Sequence, residues 1–141
     1  MGFSATLIKH TGTSANFVSL SSIGLSASAE LRHMWGTGSS NLFLVGSNGF
    51  AAHYDGSMWL KMTQSATTST LYAVQGTTAT GTVYALGNNG WLFTSSPPYS
   101  AFTPVANPPT NSTSLRELAI AQDGSAWVTG LNGFIAQLGT Q

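Results

Sequence analysis

Charge is what this chain has least of. Only 6% of its 141 residues are charged, where about a quarter is usual. The four basic residues (Lys9, Arg32, Lys61, Arg116) and four acidic ones (Glu30, Asp55, Glu117, Asp123) are scattered and cancel. No basic stripe tracks phosphates, so nucleic acid is not an expected partner. No basic amphipathic helix is present to lie on a membrane. Cysteine is absent, which excludes disulfides and thiolate metal sites and leaves the redox compartment open. Residues 1–30 contain no apolar run long enough for a signal sequence or a membrane span. This chain is therefore expected to carry no cleavable signal and to insert into no membrane. No helical period of useful length appears either. Polarity comes from Ser, Thr, Asn and Gly, while 42% of residues are hydrophobic, enough for a packed core. Secreted and virion-surface β proteins have such surfaces, and that association favours an extracellular or virion-surface location.

One pattern is written three times. Gly46-Ser47-Asn48-Gly49-Phe50, Gly87-Asn88-Asn89-Gly90-Trp91 and Gly130-Leu131-Asn132-Gly133-Phe134 place their second glycines 41 and 43 residues apart. Leu31, Leu71 and Leu115 keep the same phase. Asn-Gly is a strong hairpin signal, because a two-residue type I′ turn needs positive φ at both positions. Asn48, Gly49, Asn89, Gly90, Asn132 and Gly133 are therefore read as turn residues, and the glycines as backbone geometry. Short β-rich runs flank each turn, such as Leu42–Val45 and Phe50–Tyr54. A strand precedes each hairpin, as at Leu31–Trp35, and another follows, as at Trp59–Met62 and Phe102–Val105. Phe17–Leu20 fits that last slot. Four strands in roughly 40–45 residues is the signature of a β-propeller blade. A sandwich need not repeat at all, and solenoid coils usually repeat faster.

The run from Leu31-Arg32-His33-Met34-Trp35-Gly36-Thr37 to His53-Tyr54-Asp55-Gly56-Ser57-Met58-Trp59 resembles the BNR/Asp-box and YCF48-like superfamily of bacterial propeller repeats. The likeness is strongest over 31–59. Over 71–102, Gln75 stands in place of the tryptophan, and the Asp-Gly loop gives way to Ser95-Ser96-Pro97-Pro98-Tyr99. It weakens further over 115–138. The resemblance implies a propeller, a structural turn at Asp55 and Gly56, and Trp59 in the core. It implies no single function, since such propellers include lectins, sialidases, assembly factors and scaffolds.

The expected architecture is all-β, a β-propeller of four-stranded antiparallel blades with about three blades in one domain, 1–141. Residues 31–70 form one blade, and 71–114 a second with an irregular loop. Residues 115–141 open a shared blade whose closing strands come from 1–30. Propellers typically hold about 4–8 blades, so a second chain is expected to complete a six-bladed ring, making a homodimer. A trimer of nine blades, or docking on a larger assembly, would also close it. Residues 3–9 and 134–138 compete for one strand position, and the N-terminal piece is expected to add an edge strand or touch a partner.

No catalytic constellation emerges. Nothing selects a pair among the four acids for glycosidase work. Sialidase chemistry needs clustered arginines, and only Arg32 and Arg116 are present, at the same blade position. His10, His33 and His53 show no ligand spacing; isolated histidines are the simpler reading. No enzyme, metal site or cofactor is expected. Asn111-Ser112-Thr113 fits a glycosylation sequon, which means little without a secretory context. Ligand candidates are Trp91, Tyr99, Trp35, Arg32, Arg116 and Tyr72, with Tyr54 and Trp127 behind them. Sugars stack on such rings, but packing between blades claims most aromatics. Trp91, after an exposed turn, and Tyr99, in the irregular loop, are the better surface choices. The expected function is a non-catalytic, lectin-like module for a surface glycan or protein on a cell or virion. A structural role as a virion decoration or tail component is the alternative.

Overall fold

The computed structural model describes residues 7–10, 12–18, 23–26, 28–64, 67–121 and 123–138. It is all-β. Strands β3 (Leu31–Gly38), β4 (Asn41–Gly46), β5 (Ala51–Tyr54) and β6 (Trp59–Lys61) form one antiparallel meander in the order β3-β4-β5-β6. Strands β7 (Leu71–Gly76), β8 (Val83–Gly87), β9 (Leu92–Ser95) and β10 (Thr103–Pro104) repeat it, in the order β7-β8-β9-β10. Strands β11 (Leu115–Ile120), β12 (Ala126–Gly130) and β13 (Ile135–Leu138) make a third, three-stranded sheet. An N-terminal hairpin pairs β1 (Leu7–His10) with β2 (Ala15–Val18). Residues 3–6 of the contested strand, and 19–20 of the slot beginning at Phe17, lie outside the described residues. Residues 135–138 take the third strand position of the last sheet, and β1 instead pairs with β2.

The repeated motif makes the same turn each time. Asn48, Asn89 and Asn132 have φ of 55°, 57° and 58°. Gly49, Gly90 and Gly133 follow with 66°, 72° and 71°, which gives the type I′ geometry. The first glycine has a different task. A Cβ on Gly46, Gly87 or Gly130 would lie 2.2, 2.3 or 2.7 Å from the carbonyl oxygen of Glu30, Thr70 or Ser114. The next residue's N–H donates to that same carbonyl: Ser47 to Glu30 at 2.9 Å, Asn88 to Thr70 at 3.1 Å, Leu131 to Ser114 at 3.0 Å. Each hairpin is thus pinned to the residue entering its inner strand.

The pinning costs the inner strand one residue of register. Leu31 pairs with Gly46 but His33 with Val45, and the same slip occurs between Leu71 and Ala73 and between Leu115 and Glu117. Arg32, Tyr72 and Arg116 are the bulged residues.

Side chains alternate across each sheet, so both faces of the middle blade are buried. Phe43, Val45 and Ala51 of the first blade pack on Val74, Val83 and Phe93 of the second. His33 sets its Nδ1 3.3 Å from the Val74 amide nitrogen. On the far side, Ala73, Leu86 and Leu92 meet Leu115, Leu118 and Val128.

Gly87→Ala is expected to destabilise the fold by about 1–3 kcal/mol, because its methyl meets backbone that cannot move aside. Gly38→Ala, with nothing within 4 Å of the added carbon, is expected to stay within about 0.5 kcal/mol. Urea midpoints of the two variants against the parent chain check this.

Candidate functional site

The inner strands β3 and β11 both pack against β7, so their bulges are neighbours. A bulge re-aims the side chain it carries. Here three bulges at one repeat position bring Arg32, Tyr72 and Arg116 together. The Arg116 guanidinium carbon lies 3.9 Å from the centre of the Tyr72 ring, and that of Arg32 lies 5.6 Å from it. Such cation–π contacts contribute about 0.5–2 kcal/mol each. Arg32 also pairs with the Glu30 carboxylate, both side chains being more than two-fifths exposed. Arg116 has no ion pair among the described residues. Its charge is held by a ring that cannot neutralise it and remains open to an anionic group.

The other aromatic candidates are placed elsewhere. Trp91 stacks on Phe93 at 5.5 Å and packs against the core of the first joint. Tyr99 meets Phe43 edge-on at 4.9 Å, and its hydroxyl donates to the Gly81 carbonyl at 2.8 Å. Trp35 stacks on Phe43 in the same joint. Tyr54 tilts against Trp59, its ring beneath the Lys9 ammonium. Trp127 is 41% exposed and stands apart on the last sheet.

The acids are occupied by local geometry. Asp55 accepts from the Ser57 and Met58 N–H groups at 2.8 and 2.9 Å, which holds its carboxyl below the usual range. Asp123 likewise accepts from the Ser125 hydroxyl and N–H, with the same effect. Among the described residues no group of three or more His, Asp or Glu is placed to hold a metal ion. No helix among them is long and apolar enough to cross a membrane. His53 is buried, stacked on Phe43 at 4.6 Å, with Nε2 donating to the Asn41 Oδ1 at 2.7 Å. Burial lowers its pKa, outweighing the nearby Asp55 charge that raises it.

No protein-family model matches the sequence, and no curated protein matches it. A solved structure, "YCF48 bound to D1 peptide", superposes with a TM-score of 0.58 at 19% identity, over 89% of this chain. The match shows the fold, antiparallel blades of propeller type. This chain spans 41% of the length of that propeller chain, consistent with part of a ring.

Within these propeller blades the arginine–tyrosine–arginine ladder was half legible. The phase leucines place Arg32, Tyr72 and Arg116 at one position, each directly after Leu31, Leu71 or Leu115. The shared bulge that turns them toward one another is invisible without the pairing register. Glu30 escaped notice as the ladder's acidic neighbour, although it sits two residues before Arg32.

A histidine with a depressed folded pKa withholds a proton that the unfolded chain takes up. Its stabilisation is complete above the unfolded value, near 6.5, and is lost as pH falls below it toward the folded value. The urea midpoint is expected to fall between pH 7.5 and 5, and His53→Phe to remove part of that slope.

Proposed function

We propose that the chain is a non-catalytic binding module that grips an anionic group of a partner protein at the Arg32–Tyr72–Arg116 ladder. A second chain completes its six-bladed ring. The observation that carries this reading is the unpaired Arg116 guanidinium 3.9 Å above the Tyr72 ring. In a chain with four basic residues, two of them converge on one ring beside a single carboxylate. The cluster has a net positive charge, and a planar guanidinium fork suits a carboxylate. The site sits on strands and not on a mobile loop, so little order has to be gained on binding. The similar YCF48 structure is bound to a peptide, which supports a peptide ligand for blades of this shape. A glycan is the less supported ligand, because Trp91 and Tyr99 are engaged in packing.

The test is a library of fluorescent peptides offered with free and with amidated C-termini, read by anisotropy. Free-acid peptides are expected to bind better, and raising salt to weaken them. Arg116→Gln is expected to lower affinity about tenfold or more, the loss of one charge-assisted contact, while its urea midpoint falls by no more than the loss of one cation–π contact allows. Tyr72→Phe keeps the ring face and is expected to retain binding. Equal binding of acid and amide peptides, or glycan-array hits indifferent to Arg116→Gln, would overturn the reading.

A further inference from the structure

Each blade joint has two sides, and the repeat fixes which residues form them. Six positions before and two after the second glycine of the turn lie the residues facing the next blade. In the first blade these are Phe43 and Ala51, 0% and 1% exposed; in the second they are Tyr84 and Leu92, both packed in the second joint. In the third they are Trp127 and Ile135, 41% and 63% exposed. Gly49 and Gly90 lie under the connections into the next blade, against Thr67 and Thr110, whereas Gly133 has nothing within 4 Å. Among the described residues, the third blade therefore presents a joint face with no blade on it.

The first blade presents the opposite face. Val74 and Leu118, which receive the preceding blade, are 0% and 7% exposed, yet their counterpart Met34 is 46% exposed. Met34 lines an apolar groove of about 1020 Å³ with Leu42, Tyr54 and Trp59, and Leu7 and Ile8 of the N-terminal hairpin form its rim. The hairpin already seats Leu7 on the small core of Leu44, Phe50 and Ala52, and the groove continues that core outward. Lys9 and Lys61 also line the groove. Glu117, two residues from Ala119 on the same face as Trp127, is exposed.

We propose that these two faces are the halves of one seam: Trp127 and Ile135 of one copy seat in the groove of a second copy, against Met34 and Leu42. This rests on the closed-ring part of the proposed function. The partner is a second copy because the two faces are the repeat's own joint sides, and because Glu117 brings a carboxylate to a groove holding two ammonium groups. A head-to-tail seam that closes after two chains yields a ring with two identical joints.

Light scattering on a sizing column is expected to give a mass near twice 14.6 kDa, and Trp127→Lys a mass near one chain. A cross-link tests the seam without depending on the folding of that variant. The chain has no cysteine, so Trp127→Cys chains mixed with Leu42→Cys chains are expected to join through a short bismaleimide, and Ser96→Cys with Leu42→Cys chains not to. A monomeric parent chain overturns the seam, as does a dimer without the cross-link; a mass near three chains overturns the two-chain ring. A monomer that still prefers free-acid peptides would sink the seam alone. A cross-linked dimer indifferent to them would sink the ligand reading alone.

Discussion

One close contact organises this chain: the first glycine of each turn against the carbonyl that precedes an inner strand. No side chain fits between Gly46 and Glu30, Gly87 and Thr70, or Gly130 and Ser114. The following N–H closes on the same oxygen in all three blades. With the hairpin fixed there, the inner strand must absorb one residue, and the bulge falls at Arg32, Tyr72 and Arg116. A backbone constraint thereby decides which side chains meet. The arginines and tyrosine need no loop to find one another, because the same steric fit aims each of them.

The two internal joints solve one packing problem with different residues. In the first, Trp35 lies over Gly76, and a Cβ there would come within 2.7 Å of the indole. In the second, the equivalent positions are Gln75 and Ile120, and Ile120 packs against the core that the smaller partner leaves room for. The missing tryptophan of the second repeat is therefore compensated across the joint and is not a gap in the blade. Protein interiors demand this exchange of volume, since voids and overlaps both cost stability. It also explains why a chain with so few charges holds its sheets together: each joint is largely apolar, with His33 and His53 among the polar members of the first and Gln75 in the second.

What was legible in the sequence was local, and what was not depends on neighbours. Asn-Gly announces its turn because positive φ is a property of two residues. The string Asp-Gly-Ser-x-Trp shows the limit. At Asp55 it joins the third and fourth strands of a blade, and at Asp123 it joins the first and second. The same turn forms in both places, with the aspartate accepting from the amide two residues on. Yet Trp59 packs against a core while Trp127 stands exposed. Trp91 and Tyr99 looked like surface residues, one beside a turn and one in an irregular loop. Each lies against the first joint: Trp91 stacks on Phe93, two residues on along the same segment, and Tyr99 meets Phe43 of the first blade. Sequence separation conceals the second contact, and the burial of Phe93 in the joint conceals what the first implies.

The same turn contact also sets the electrostatics of the ladder. Ser47 donates its N–H to the Glu30 carbonyl, and its Oγ accepts from the Glu30 N–H at 2.9 Å. Glu30 is thus clamped on both sides of its backbone, with its carboxylate on Arg32. The residues at that position in the other blades are Thr70 and Ser114, which are neutral. One arginine of the ladder is therefore answered by a carboxylate, and the other, among the described residues, by the tyrosine ring. An asymmetric ladder follows from a symmetric scaffold, through one residue type at one repeat position. Had Glu30 been neutral, both guanidiniums would compete for the same anion across Tyr72. With it present, the positive charge left without a carboxylate partner among the described residues is that of Arg116, on the side of the second joint.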